Sequence, residues 1–440
     1  MSLFSIAGFV RLVVLTAIAA VIFSSVAPEG RDQRFEIDEA EWLTISLATT
    51  QQAFGDATAF DGMPPSPYQD ADGNPWKVGI HQSTFGFMNP LLPKFVFGGL
   101  SLALGHAEYD PLVYPRFAKG KRQNRINTAK LAVFPPLLAI RWIVVLLASL
   151  SAALIFIIAS HVGGIASGAF AFALFLASPV ITDHATRVRT DFFPLTLTLL
   201  ALLVAIAIKK SLGGERGKES RLRATLVLGL LAGLAVASKL NGALLVLMIS
   251  AWIPLAWYSS RKFSGSNVLT GVLLPYLIAG LVTVSIYFVF SPHLWPAPVE
   301  NVGALFEAWE ADISHQKDQF GERLGRADTI IEHFQLSGKA VSGEYEPFYA
   351  HTGLPIGLPL IVVGALVLVA AARKGQHKSS AKMVLTYILI GGFGTALWLP
   401  FGRNNFYIGF GPVVAILQGM ALGAPIALWL RSKRSTESDA

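Results

Sequence analysis

The densest run of side chains able to move a proton is Phe35-Glu36-Ile37-Asp38-Glu39-Ala40-Glu41-Trp42, just beyond an apolar stretch at 6–27. Asp38 and Glu39 are adjacent carboxylates. Such a pair suits general-base chemistry, because one charge tunes the pKa of the other, and it also suits cation binding. Asp38 is equally a good cap for an amphipathic helix over 39–52, with acids favoured in the first turn. A second feature is Phe87-Met88-Asn89-Pro90-Leu91-Leu92-Pro93-Lys94-Phe95. Its two prolines force an extended approach, and Lys94 opens an apolar stretch at 95–104. A compact ammonium there either pairs with a phosphate or snorkels to lipid headgroups.

Cations recur further on. Arg187-Val188-Arg189-Thr190-Asp191 precedes a run that contains Pro194. Two arginines and an aspartate at a membrane boundary suit a phosphate and an acidic partner. Asp191 also reads as a helix cap with proline in the first turn. Arg141 lies inside an apolar run, where a charge is costly, so it is a functional candidate or half of an ion pair inside the bundle, with Asp191 as one partner. His293 belongs to Ser291-Pro292-His293-Leu294-Trp295-Pro296-Ala297-Pro298, a string that also fits an interfacial Trp/Pro belt. Arg403 and Tyr407 lie in Phe401-Gly402-Arg403-Asn404-Asn405-Phe406-Tyr407, where Arg403 either holds an anionic headgroup or anchors a helix end. His315, His333 and His351 lack metal-site spacing, so no metal ligand set and no cofactor is expected.

The elements that must position these residues are membrane helices. Of 440 residues, 53% are hydrophobic and 14% charged, against about a quarter charged in soluble domains. Mean hydropathy is +0.54. A disordered chain, a nucleic-acid-binding tail and an ordinary cytosolic enzyme are excluded. The net charge of +7 is read as lysine and arginine gathered in cytoplasmic loops, with no nucleic-acid partner. Cysteine is absent, which removes disulfides and thiolate chemistry.

Apolar runs lie at 6–27, 131–159, 162–181, 192–208, 224–237, 243–258, 268–290, 354–372, 383–400 and 406–430. They predict an all-α polytopic protein of about ten transmembrane helices. The first run has no Ala-x-Ala site after it and no basic cluster before it, so it reads as a retained span. The stretch at 95–104 is too short to cross and is expected along the interface. With the N-terminus inside, the basic segments 209–223, 261–267, 373–382 and 431–440 all fall in the cytoplasm. The expected organisation is one membrane domain over 1–440 with two large extracytoplasmic loops, 28–130 and 291–351. The first loop carries interfacial helices. Every candidate residue falls on that outer face, in a bacterial inner (plasma) membrane with both termini cytoplasmic.

In this order the motifs resemble those of GT-C-type glycosyltransferases, and more narrowly the family of protein O-mannosyltransferases and the lipid A aminoarabinose transferase. Asp38-Glu39 matches an Asp-Glu pair after the first span, and Asn89-Pro90-Leu91-Leu92-Pro93-Lys94 a His-Pro-Pro-Leu segment with a nearby lysine. Arg189-Thr190-Asp191 matches an Arg-Thr-Asp, and Ser238-Lys239-Leu240-Asn241-Gly242 sits where relatives carry a Lys-Tyr-Thr-like element. The Pro-His-Leu-Trp-Pro string resembles Asn-Pro-x-x-Trp-x-Asp-Pro, and Arg403 with Tyr407 an Arg-Tyr pair. Asn89 stands in place of the pattern's His, and Ala297 in place of its Asp.

The resemblance implies inverting transfer of a sugar from a polyprenyl-phosphate-linked donor. The acceptor would be a protein hydroxyl, lipid A or another envelope glycan. By the same resemblance Asp38 would be the base with Glu39 beside it. Lys94 and Arg403 would neutralise donor phosphate, Asp191 would position a substrate, and Arg141, Arg187, Arg189, His293 and Tyr407 would line the site. Two other classes fit the chain: a transporter or flippase of a lipid-linked or anionic solute, and a non-catalytic assembly partner. A transporter usually places its site at the midplane and shows repeated halves.

Overall fold

A backbone inside a bilayer has no water to pair with, so a long apolar run must close its own hydrogen bonds as a helix. The computed structural model describes residues 6–31, 46, 49–50, 91–106, 135–211, 217–264, 268–295, 297–303, 306–307, 329, 331–332, 335, 353, 356–374, 378–398 and 409–438. Among these there are helices and turns and no strand. The helices are α1 (Ile6–Arg31), α2 (Leu92–Ala103), α3 (Pro135–Gly163), α4 (Ile165–Ala177), α5 (Pro179–Ala185), α6 (Phe192–Ser211) and α7 (Gly217–Ser238). They continue as α8 (Ala243–Ser264), α9 (Leu274–Val289), α10 (Gly357–Lys374), α11 (Lys378–Trp398) and α12 (Phe410–Ser438). A 3-10 turn at Leu240–Gly242 joins α7 to α8, a π turn at Leu269–Leu273 leads into α9, and a 3-10 turn at Pro292–Leu294 follows it.

The described part of each expected apolar run is largely helical, but length and hydropathy do not confirm the expected count of about ten crossings. Among the described residues five stretches are long and apolar enough to cross a membrane: Ala7–Ser25, Pro136–Gly163, Leu240–Tyr258, Leu269–Val289 and Phe410–Ala427. The pair α4–α5 makes a sixth if it is read as one broken span. In α6, α7 and α10 the apolar part is shorter, and α11 opens on the polar Lys378-Ser379-Ser380-Ala381-Lys382. The run at 162–181, expected as one span, is two helices bent by 67°. The break falls at Ser178, whose ψ of 119° is extended, because the ring of Pro179 disfavours α geometry in the residue before it.

At Gly164 the chain reverses with φ 91°, a conformation that costs glycine little. This lets α4 fold back on α3, with Phe156 and Phe172 edge to face at 6.4 Å. The tightest packing uses small residues, as membrane helix pairs do. Gly419 and Gly423 of α12 bring its backbone onto Ala171 and Ser167 of α4. Gly229 and Gly233 of α7 do the same against α9, where Thr283 Oγ1 donates to the Gly229 carbonyl at 3.1 Å. Inside the bundle Ser151 and Thr196 share a hydrogen bond of 2.8 Å between α3 and α6. Outward-facing Leu269, Leu273, Leu277, Leu281, Val284 and Phe288 form a stripe along the π turn and α9 that suits lipid.

Short reversals alternate the helix directions, and this sorts the chain by end. The start of α6, the turn after α7, the start of α8, the second half of α11 and Gly409 just before α12 all reach one cleft. At the opposite end His161 Nε2 and Ser380 Oγ, 3.2 Å apart, join the end of α3 to the start of α11. Arg223, Arg261, Lys262, Arg373, Lys378, Lys382 and Arg431 sit toward that second end by their positions in the helices.

Candidate functional site

At the first end the chain runs from α5 through Arg187-Val188-Arg189-Thr190-Asp191 into α6. Asp191 stands where a cap would, and its carbonyl accepts from the Leu195 N–H at 3.3 Å. Its carboxylate does something else. Asp191 Oδ1 accepts from Lys239 Nζ at 2.5 Å, across 48 residues of sequence. The side chains of Asp191 and Lys239 are 6% and 24% exposed, so the pair is largely withdrawn from water.

Lys239 reaches Asp191 because α7 stops at Ser238 and the chain turns immediately. Lys239 is extended, and the Gly242 N–H donates to its carbonyl at 2.8 Å. The turn is tight enough that a Cβ on Gly242 would lie 2.2 Å from the Ala235 carbonyl oxygen. Glycine is therefore required for the close return, and the return aims the lysine back at α6.

Asp191 is surrounded by further positive or ionisable groups. His184 Nδ1 of α5 lies 4.0 Å from Asp191 Oδ2, and Arg189 is also buried. Burial pushes the Asp191 carboxyl up, but the Lys239 ammonium, His184, the Lys239 hydrogen bond and Arg189 together outweigh it and hold the group below its ordinary value. Arg187 pairs with Asp183 one turn back at 2.5 Å. Burial first, and the nearby Arg189 second, lower its pKa. The result is three cationic side chains, Arg187, Arg189 and Lys239, beside two carboxylates, Asp183 and Asp191, a small positive surplus that attracts an anion.

The cleft beside this pair is small, with a volume of about 50 Å³. Asp191, Asn241, Leu244, Tyr387, Thr395 and Gly409 are among its lining residues. Asn241 Oδ1 is buried there with no hydrogen-bond partner. An orphaned carbonyl is costly to leave dry, so it is a ready acceptor for a hydroxyl of a bound molecule. Leu244 is shared with a second space of about 470 Å³ between α7, α8 and α9. That groove is lined by Val236, Val246, Leu247, Thr283, Val284 and Tyr287 among others, and Leu247 and Val284 are 56% and 66% exposed. Leu244 thus separates a cleft of mixed lining from an apolar groove with exposed walls.

Lys94 lies on α2, which touches the same end through Phe97 against Phe193 (5.7 Å between ring centres) and Phe95 against Phe290 (6.5 Å). The Lys94 side chain is fully buried, and burial lowers its pKa from 10.5 to about 7. The folded state then binds fewer protons than the unfolded one between pH 7 and 10.5, so stability must rise with pH across that window. Thermal melting in detergent is expected to show this rise, and Lys94→Met to flatten it. An unchanged slope in the variant would assign the rise to other groups.

The structure brings together Arg187, Arg189 and Asp191 of the expected residues. Asp38, Glu39, Arg403 and Tyr407 lie outside the described residues, as does the His293 side chain, although its backbone forms the turn after α9. Thr395 and Gly409, on either side of the segment that holds Arg403 and Tyr407, both line the cleft. Arg141 is half-buried on α3 and is not among the partners of Asp191, so that expected ion pair is replaced by the one with Lys239. Lys239 and Asn241 were legible only as part of the Ser238–Gly242 string, and His184 had no sequence signal beyond its type. Among the described residues no group of three or more His, Asp or Glu side chains is arranged to hold a metal ion.

No family model matches the chain, and no curated protein matches it. Among solved structures, it is similar to the archaeal oligosaccharyltransferase AglB of Archaeoglobus fulgidus in complex with an inhibitory peptide and a dolichol-phosphate, at 12% identity and a TM-score of 0.48 over 99% of this chain and 52% of that one. The enzyme from the same organism tethered to an acceptor peptide with the NVT sequon gives 13%, 0.49, 96% and 50%. Its complex with Zn and sulfate gives 11%, 0.46, 95% and 51%. This chain spans about half the length of those it is similar to.

Proposed function

We propose that the chain is a membrane glycosyltransferase that moves a sugar from a polyprenyl-phosphate donor to a hydroxyl of an envelope protein or glycolipid. The observation that carries this reading is the shared wall at Leu244, which lines both the cleft at Asp191 and Asn241 and an apolar groove between α7, α8 and α9. A substrate with a polar head held at the mouth of the cleft and a long apolar tail in the groove suits this arrangement, and no water-soluble solute needs the groove. Arg187, Arg189 and Lys239 supply cations for the phosphate, and Asn241 Oδ1 supplies an acceptor for a sugar hydroxyl. The basic positions at the opposite end of the bundle favour the cytoplasm there, which turns the cleft outward.

In the proposed step Asp38 takes the proton of the acceptor hydroxyl, with Glu39 beside it. The acceptor oxygen attacks the anomeric carbon on the side away from the phosphate, inverting that centre. The bond from that carbon to the phosphate oxygen breaks, and the polyprenyl phosphate leaves with its electron pair. Lys94, the arginines and Arg403 stabilise the leaving charge. This mechanism needs no metal.

The test is transfer from radiolabelled polyprenyl-phosphate sugars to envelope extract by purified protein in liposomes. Label is expected on protein or lipid, to fall at least a hundredfold in Asp38→Asn, and to fall in Asp191→Asn with both variants folded. Full activity of Asp38→Asn would overturn the role of that base. Movement of donor across the vesicle with no product would replace transfer by transport.

A further inference from the structure

The cleft at Asp191 is too small for a sugar ring. With a volume of about 50 Å³, it takes at most about three non-hydrogen atoms, since one water already needs about 10–15 Å³. A sugar held at its mouth can therefore send in one substituent, and the lining says which kind.

Three of the lining residues present oxygens that can only accept. Asn241 Oδ1 is buried and has no hydrogen-bond partner. The Thr198 hydroxyl donates to the Pro194 carbonyl at 2.7 Å, so its proton is already committed and its oxygen is left to accept. The Asp191 carboxylate, held by Lys239, is an acceptor as well. The incoming group must then be a donor, an O–H or an N–H. Lys239 and Arg189, whose charges act on Asp191, oppose a second ammonium beside it and favour a neutral hydroxyl. Leu244 and Met248 give the same cleft an apolar wall suited to carbon. A hydroxyl carried on a single carbon satisfies the size, the acceptors and the apolar wall together. A ring hydroxyl does not, because the ring carbon that bears it brings the rest of the ring with it.

We infer that the cleft receives the hydroxymethyl arm of the donor sugar, with its O–H donating to Asn241 Oδ1. This use of the cleft rests on the chain being a glycosyltransferase with a polyprenyl-phosphate donor, and it narrows the class of sugar. The transferred residue is a hexose with a free 6-hydroxyl. A pentose has no such arm, and a 6-deoxyhexose carries a methyl group that leaves the buried Asn241 oxygen unpaired. A site built around a buried acceptor discriminates strongly against an analogue that lacks the hydroxyl.

The experiment is binding of synthetic farnesyl-phosphate-linked sugars to the full chain in detergent, read by displacement of radiolabelled farnesyl phosphate. Glucose, mannose and galactose are each compared with the matching 6-deoxy sugar. At least one hexose is expected to bind about tenfold or more tightly than its 6-deoxy counterpart, the effect of leaving one buried acceptor unpaired. Asn241→Leu is expected to remove that preference. Gly391→Ala adds a Cβ to the cleft wall 3.0 Å from the flexible end of Met248, and it should weaken the hexose more than the 6-deoxy sugar. Equal binding within every pair by the wild type would overturn the assignment, as would a preference that survives in Asn241→Leu. Failure of farnesyl phosphate and all its sugars to bind is a different result, and it would overturn the glycosyltransferase reading itself.

Discussion

Replacing Lys239 by methionine is expected to destabilise the protein by about 3 kcal/mol, at the low end of the cost of breaking a buried ion pair. The reason is what it leaves behind. Asp191 is 6% exposed, and without Nζ its carboxylate keeps His184 at 4.0 Å and the more distant Arg189 but no hydrogen bond. The low end applies because Lys239 is itself 24% exposed, so some water screens the pair. Asp191→Asn should cost less, since the remaining ammonium can reach solvent from that position. The double variant is expected to be more stable than Lys239→Met alone, because removing the orphaned charge recovers part of the loss. Melting of the three variants in one detergent measures this directly. A Lys239→Met protein as stable as the wild type would mean that water already screens Asp191.

That pair also shows where sequence reading stops. Asp191 is recognisable from Arg189-Thr190-Asp191 before an apolar run, and two roles follow from that context: capping the helix or serving a site. The choice between them depends on a partner 48 residues away. That partner lies at the end of an apolar run, where a lysine reads as ordinary punctuation. Its aim is set by the helix break at Ser238 and by Gly242 packed on Ala235; the glycine permits so close a return, but its presence in the sequence does not say what the lysine then faces. Periodicity, by contrast, finds helices well in this chain because hydropathy alone dictates them. The described part of every apolar run is largely helical, and 95–103 belong to a helix of 12 residues.

Hydropathy says less about how a run is subdivided. Residues 162–181 read as one span because nothing in their polarity changes at Ser178. The bend comes from the proline that follows, and proline in a membrane helix can be accommodated or can break it. Arg141 illustrates the same limit for charges. A charge inside an apolar run announces that it needs a partner without saying which, and the carboxylate nearest in chemistry is taken by Lys239. The acidic pair at Asp38 and Glu39 stands apart from all of these, because its proposed role rests on residue type and order alone.

The packing makes a prediction of opposite sign at two glycines. Gly364 of α10 faces α12 so closely that a Cβ would overlap the carbonyl oxygen of Leu417, with the Leu417 carbonyl carbon at 2.5 Å. Those are backbone atoms of a helix, so no rotamer change relieves the contact and the two helices must separate. Gly364→Ala is therefore expected to destabilise by about 2 kcal/mol, as overpacking does. Gly280 of α9 has nothing within 4 Å of the same position. Gly280→Ala should be neutral or stabilising by up to about 1 kcal/mol, through helix propensity alone. Because α12 begins at Phe410, beside the cleft-lining Gly409, the Gly364 variant should also weaken substrate binding, whereas Gly280→Ala should not. Paired melting curves check the first contrast and donor binding the second. If both alanine variants moved stability in the same direction, the close contact between α10 and α12 would not be the tight interface described here.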